Sequence, residues 1–307
     1  MELRQLRHFL AVVDHGSFSR AAQMLGKSQQ ALSKSVHALE QSLGVRLLDR
    51  NPRAATLTAF GQLLLPFARN IDLEATSFRD QLAAVRRAER GRVRLGASPA
   101  SSTQLVTEAV MRLATTQPEI QIAVLSGILQ GMERELLAGD LDLFVCIDHE
   151  DRATEGVTRE VLLEDEYRVV CAITHPLAHA KSVTASQLAS YPWIQGRNQG
   201  EIVQAWRRSF ELAEVPAPEP AIETTSIEFC KHALQAGTCL SVLPGQLIDT
   251  ELDQEILCQV DAPDFRWRRP IVMHYRSTTT LSPAVLTVID ALHCAAERCK
   301  RGVDVGT

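Results

Sequence analysis

The spacing of apolar residues changes at Gly91, and that change divides the chain into two kinds of structure. Before it, apolar residues recur at intervals of three and four, as on one face of a helix. After it, strand-like and helix-like segments alternate. RVRLGAS, EIQIAVL, DLDLFVC, EYRVVCAI, PWIQ, AIETT, CLSVLP and RWRRPIVMHYR read as strands. Helices are marked by Leu105, Val106, Ala109, Val110 and Leu113, by LQGMERELLAG, QGEIVQAWRRSFELAEV and IEFCKHALQAG, and by the closing SPAVLTVIDALHCAAERCKR. Such alternation predicts an α/β body with a mostly parallel sheet and right-handed crossovers. With 307 residues, the chain can form two compact domains, each with its own core. No internal repeat of fixed period and no low-complexity segment is visible.

The N-terminal segment reads as three short helices. Leu3, Leu6, Phe9, Leu10 and Val13 mark the first, which breaks at Asp14-His15-Gly16. Ser17 is placed to cap a second helix with Phe18, Ala21, Ala22 and Leu25 inward. After Gly26 and Lys27, Ser28 caps a third that turns Leu32, Val36, Leu39 and Leu43 inward. GVRLLDRNPRAATLT then reads as two short strands about a turn at Asn51-Pro52. From Thr58 to about Ala88 a long helix puts Phe60, Leu64, Phe67, Ile71, Phe78, Leu82 and Val85 on one seam, close to a 3.5-residue repeat. A helix of ~45 Å cannot bury that stripe against a small domain. The pattern predicts pairing with a second chain. Pro66, inside the stripe, should kink the helix or leave one carbonyl unpaired.

The outer face of the third helix carries the chemistry. With Leu32, Val36 and Leu39 inward, Gln29, Gln30, Ser33, Lys34 and His37 share the opposite face. A glutamine amide pairs its donor and its acceptor with the major-groove edge of adenine; lysine meets guanine or phosphate. Two helices joined by a tight turn, the second polar on its outer face, form a helix-turn-helix. Arg50 and Arg53 flank the following turn, within reach of phosphates or a minor groove. Charge agrees with a polyanionic partner for this segment alone. Residues 1–90 carry 13 Lys/Arg against 8 Asp/Glu, whereas the remainder carries 19 against 29.

Other chemistries lack their residues. Ser98 has no Gly-x-Ser-x-Gly context. His175 and His179 are four apart, but Pro176 disfavours a regular helix there and no acid lies between them. None of the seven cysteines stands in a Cys-x-x-Cys pair or a Cys/His cluster with zinc spacing. No enzyme, metal or cofactor is expected. The N-terminus lacks the pattern of a signal peptide, and no run of ~18 apolar residues suggests a membrane span. These features predict a cytoplasmic protein with reduced thiols.

FLAVVDHGSFSRAAQMLGKSQQALSKSVHALEQSLGVRLLDRNPRAATLTAFGQLLLPFAR resembles the N-terminal signature of LysR-type transcriptional regulators. The likeness rests on Ser-Phe-Ser-Arg-Ala-Ala at the second helix, Ser-Gln at the third, Leu39-Glu40, Leu43-Gly44 and Leu57-Thr58. LLAGDLDLFV and LQAGTCLSVLP extend it more weakly into the body. Two positions depart from the family pattern: Gln30 stands where proline is frequent, and Cys239 where glycine is common. The resemblance implies a winged helix-turn-helix at 1–58, a dimerising linker helix at 59–90 and an effector domain at 91–307. That domain would comprise two α/β subdomains like a periplasmic binding protein, about 91–163 plus 267–301 and about 164–266. It further implies a homotetramer on a dyad-related double-stranded promoter site, a small-molecule effector, and RNA polymerase as a further candidate partner.

In such a fold ligands sit beyond strand C-termini, between the lobes. The turn GASPASSTQ offers Ser98, Ser101 and Ser102, and Ser126 follows the next strand. Gln195, Arg197, Thr224 and Thr225 face them from the second lobe on this reading. Hydroxyls, helix-start N–H groups and a guanidinium predict an organic anion. A thiol-based redox sensor and a solute-binding protein are the alternative readings.

Overall fold

The computed structural model describes residues 1–51, 54–87, 91–148, 154–196, 200–277 and 280–304. Three helices open the chain: α1 (Leu3–His15), α2 (Phe18–Met24) and α3 (Gln29–Leu43). Each start is fixed locally. Ser17 Oγ accepts from Arg20 N at 3.2 Å, and Ser28 Oγ accepts from Ala31 N at 3.2 Å. Leu6, Phe9, Leu10, Val12, Ala21, Ala22, Leu32, Val36 and Leu39 form their core. Two expected core residues do not join it: Leu25 and Leu43 are 40% and 38% exposed. Leu25 caps α2 and Leu43 ends α3, so both sit where the helices leave the packed layer.

The wing follows as β1 (Leu48–Asn51) antiparallel to β2 (Ala54–Leu57). The linker helix α4 (Ala59–Arg87) runs on through Pro66. Gly61 lies so close to the wing that an added Cβ would stand 2.1 Å from the Leu47 carbonyl oxygen. Leu64 and Ala68 turn toward the N-terminal core. Phe60, Phe67, Ile71, Phe78 and Leu82 stay exposed, Phe78 by 65%. The Val85 side chain lies outside the described set.

The body is one nine-stranded sheet. Its strands are β3 (Gly91–Ala97), β4 (Ile120–Ser126), β5 (Leu143–Ile147), β6 (Val157–Ala172), β7 (Trp193–Gly196), β8 (Ile222–Thr224), β9 (Leu240–Pro244), β10 (Leu257–Gln259) and β11 (Arg266–Arg276). The order is β4-β3-β5-β11-β6-β9-β7-β8, with β10 on β6. Two parallel triplets, β4-β3-β5 and β8-β7-β9, flank an antiparallel pair, β6 and β11. The sheet is therefore mixed, not mostly parallel. The long pair carries the chain between the triplets, and strands that cross and return must run antiparallel. β6 also begins earlier than the sequence pattern suggested, at Val157.

Helices cover both faces of each half. α6 (Thr107–Thr116) and α12 (Pro283–Asp304) pack on one face of the first half, and α7 (Leu129–Ala138) on the other. In the second half, α8 (Ala185–Ala189) and α9 (Gly200–Leu212) oppose α10 (Ile227–Ala236) and α11 (Gly245–Asp253). Trp193, Trp206, Phe210 and Phe265 pack edge to face in the larger of these cores, with Trp193 and Trp206 centroids 5.1 Å apart. Both tryptophans are core residues.

A short helix, α5 (Pro99–Ser101), and a π-helical turn, Ser102–Val106, precede α6. They touch the second half. Ala100 enters its core beside Leu247, and Leu105 N donates to Gln246 Oε1 at 3.3 Å. Gln246 N in turn donates to Asp165 Oδ1 at 3.4 Å, and Glu166 N does so at 2.9 Å. Asp165 Oδ2 is buried with no partner among the described residues. Burial pushes the Asp165 carboxyl up to about 6, against the pull of those two amides. With the folded value raised, the folded protein holds this proton longer than the unfolded chain. Stability from it is full below about 4 and is lost as pH rises through about 6. Asp165→Asn should thus raise the melting temperature at pH 7.5, by the equivalent of about 1–3 kcal/mol, and leave it unchanged at pH 4. An equal effect at both pH values in thermal melts would show that the charge is not the cause.

Candidate functional site

The N-terminal surface is built on α3. Its inner residues lock it against α1 and α2, which leaves Gln29, Gln30, Lys34 and His37 exposed on the outer face and Ser33 half-buried. Gln29 is the first helical residue, directly after the capping Ser28. Its Oε1 accepts from Ser19 Oγ of α2 at 3.1 Å. His37 is engaged along its own helix: Nε2 bonds the Gln41 amide at 3.2 Å, and Nδ1 stands 3.7 Å from Glu40. On the wing, β1 contains Arg50, whose side chain is outside the described set, and Arg53 lies outside the described residues altogether.

Glu40 is the structural residue that pattern reading did not assign. It sits on the inner side of α3, 6% exposed, and its Oε1 accepts from Leu47 N at 2.9 Å and Leu48 N at 3.3 Å. One carboxylate thus fixes the wing relative to the polar face of α3. The available signal was a charged residue adjacent to Leu39 on a face otherwise apolar. Thr58 completes the anchor, donating to the Arg46 carbonyl at 2.7 Å and accepting from Gly61 N at 3.1 Å. Removing the acceptor in Glu40→Ala strands two backbone N–H groups, at about 1–3 kcal/mol each. Thermal melts should show that loss, with Glu40→Gln intermediate; a melt unchanged in Glu40→Ala would remove the anchor.

The second surface lies at the C-terminal ends of the two parallel triplets. Ser98 follows β3, and its N donates to Val145 O of β5 at 2.9 Å. Its Oγ accepts from Ser101 N at 3.4 Å, as a cap would. Ser101 departs from the expectation of a ligand contact. It is fully buried, and its hydroxyl donates to Val145 O at 2.7 Å and lies 3.1 Å from Ser98 O. Lying three residues into the turn, it points back to the sheet. The Ser102 side chain is outside the described set. Ser126 ends β4, exposed, in register with Ala97. In the other half, Gln195 and Gly196 of β7 pair with Glu223 and Thr224 of β8. Gln195 and Thr224 are half-buried and Thr225 is exposed. The Thr224 hydroxyl accepts from Ser226 N at 3.0 Å, and Ser226 caps α10. Arg197 lies outside the described residues.

His175 and four of the thiols are held in or against the packed interior. His175 is buried; its Nε2 bonds the Thr238 carbonyl at 3.0 Å, its Nδ1 accepts from Leu177 N at 3.0 Å, and burial lowers its pKa. Burial pushes the thiols of Cys171, Cys230, Cys258 and Cys299 up, which disfavours thiolate formation. Among the described residues no cluster of His, Cys, Asp or Glu has the form of a metal site, and no helix is long and apolar enough to cross a membrane.

A winged helix-turn-helix joined by a long helix to a two-lobed α/β domain defines a DNA-binding regulator with a ligand-binding module. Known proteins agree. The bacterial regulatory helix-turn-helix family of lysR type matches residues 3–62, and the LysR substrate binding domain matches residues 86–297. An SDS degradation transcriptional activation protein from Pseudomonas sp. is 33% identical over 92% of this chain and 92% of its own. The HTH-type transcriptional regulator YeiE of Escherichia coli is 31% identical over 94% and 96%. Among solved structures, ArgP from Mycobacterium tuberculosis has a TM-score of 0.70 at 21% identity, covering 95% of this chain and 96% of that one. CbnR complexed with its target DNA has 0.59 at 19%, covering 96% and 100%. The chain belongs to the LysR-type transcriptional regulators, and it is a sequence-specific DNA-binding protein with an effector-binding domain.

Proposed function

We propose that residues 1–58 read DNA, 59–90 pair two chains and 91–307 bind the effector. Within the last, 91–163 with 267–301 would form one lobe and 164–266 the other. The observation that carries the DNA reading is the exposed polar face of α3. Gln29, Gln30 and Ser33 would meet base edges, while Lys34, His37, Arg50 and Arg53 would serve bases or phosphates. Gln29→Ala should relax base preference, at roughly 1–3 kcal/mol of discrimination. Lys34→Ala should instead weaken binding to all sequences and flatten its salt dependence. Site selection from random DNA together with a salt titration separates the two, and identical behaviour in both variants would refute the division of roles.

The exposed apolar seam of α4 supports dimerisation through that helix, with a tetramer assembled from such dimers on a dyad-related site. Phe78 is the most exposed aromatic on the seam. Phe78→Asp should split the dimer, because pairing would bury an unpaired charge. Sedimentation of an intact oligomer would exclude this surface. Action would be cytoplasmic and by binding rather than catalysis, with RNA polymerase a candidate contact on the promoter.

The effector would be an organic anion held by Ser98, Ser126, Gln195, Thr224 and Thr225, with Ser102 and Arg197 as further candidates. Support comes from two sets of parallel strand ends that each meet a helix start. The Pseudomonas relative is named for degradation of SDS, itself an organic anion. Burial of Cys171, Cys230, Cys258 and Cys299, which raises their thiol pKa values, argues against these four as redox sensors. Organic acids should raise the melting temperature, and Gln195→Ala should reduce that shift. Stabilisation by neutral or cationic compounds alone would overturn the anion assignment.

A further inference from the structure

Gln29 does not stand alone on the DNA-facing surface. Ser19, the second residue of α2, directs its hydroxyl at Gln29 Oε1, 3.1 Å away. Both residues are exposed. Neither is needed for the helix starts, because Ser17 caps α2 and Ser28 caps α3. The contact joins the two helices of the motif at the base-reading end of α3.

A glutamine amide can point either way. Its oxygen and nitrogen exchange places on a half-turn about the last side-chain bond, and only one setting matches adenine, which offers an acceptor at N7 and a donor at N6. A carbonyl oxygen has two lone pairs, and the NH2 group has two donors. A serine hydroxyl can bond either end of the amide, so the contact holds the Gln29 side chain in place rather than choosing its flip; in the setting seen here Ser19 donates to one lone pair. The second lone pair and both N–H donors remain for the base. A reading group held before binding loses less freedom on binding and rejects mismatches better.

We propose that Ser19 is a positioning residue for DNA specificity: its hydroxyl holds the Gln29 side chain at the base-reading end of α3 before DNA is met. This rests on the reading of Gln29 as a base contact. Thr preserves the hydroxyl; Ala removes it.

The test is site selection from a randomised DNA library by the full-length protein. The set comprises wild type, Ser19→Ala, Ser19→Thr, Gln29→Ala and the double Ala variant. Ser19→Ala should lose roughly 3–10-fold of preference, less than Gln29→Ala, given that a good paired base contact discriminates by roughly 5–150-fold. The loss should fall at the same base positions that Gln29→Ala affects. Ser19→Thr should restore it, the double variant should match Gln29→Ala alone, and the salt slope should not move. If Gln29→Ala leaves selection unchanged, base reading by Gln29 and the role of Ser19 both fail. If Gln29→Ala acts and Ser19→Ala does not, only the Ser19 proposal fails. It also fails if Ser19→Ala weakens all sequences alike with a shallower salt slope, which marks a phosphate contact.

Discussion

The antiparallel pairing of β6 with β11 is the constraint on which the body depends. From Arg266↔Arg168 to Arg276↔Val157, the two strands pair along the whole of β11. One stretch of β11, Ile271 to Tyr275, also pairs with β5, whereas β6 pairs with β9 and β10 over Tyr167 to Ala172. The same two strands therefore belong to both lobes. The register shifts between Ile271 and Val272, beside Pro270, whose ring nitrogen donates no hydrogen bond. A bulge and a proline loosen the ladder where it passes from one lobe to the other. An anion bridging the lobes would act on this ribbon, and only through a difference in affinity between its two settings.

A second set of contacts carries that body to the DNA-binding end. Three successive residues of α4 face different partners. Asp72 pairs with Arg7 of α1. Leu73 fills the space beside Gly139, where an added Cβ would stand 1.8 Å from Leu73 Cδ2. Glu74 Oε1 accepts from Thr280 N at 2.8 Å. Gly139 ends α7 with φ +84°, a conformation suited to glycine, and the neighbouring carbonyls of Leu136 and Leu141 accept from Arg276 Nη1 at 2.7 and 2.6 Å. Arg276 ends β11. The β6–β11 ribbon thus terminates against the helix corner on which the linker helix rests, and α1 is tied to the same turn of that helix.

Local rules made the N-terminal module legible. Ser17 and Ser28 cap where their spacing from the apolar residues said they would, because capping needs only a hydroxyl and the next three residues. The six strands of the parallel triplets were legible from their short apolar runs, but the short elements α8, α11 and β10 were not. Nor was the first half of β6. In VTREVLLED, charged side chains that satisfy one another across strands break the apolar alternation: Arg159 pairs with Asp148 at 3.0 Å, and Tyr275 donates to Glu160. The matching order of the two triplets also leaves no sequence period, since topology repeats here without residue identity. In the turn after β3, Ser98 and Ser101 looked equivalent. Only the position of Val145 O decides that one hydroxyl caps the turn and the other is buried.

The charge balance favours the N-terminal end for an encounter with DNA. Coulomb terms between exposed groups fade over about 8 Å at physiological salt. Only cations within that distance of the phosphates add to binding. Lys34 meets that condition if α3 enters the groove, as does Arg50 if the wing follows. The excess of acidic residues beyond residue 90 lies on the body. Near a polyanion the body is repelled while the head is drawn in, so approach is orientated before any base is touched. On the proposed reading, part of the specificity would then rest on an uncharged group, the Gln29 amide. A glutamine amide has no long-range pull to compensate a wrong pairing, so its discrimination depends on how firmly the protein holds it.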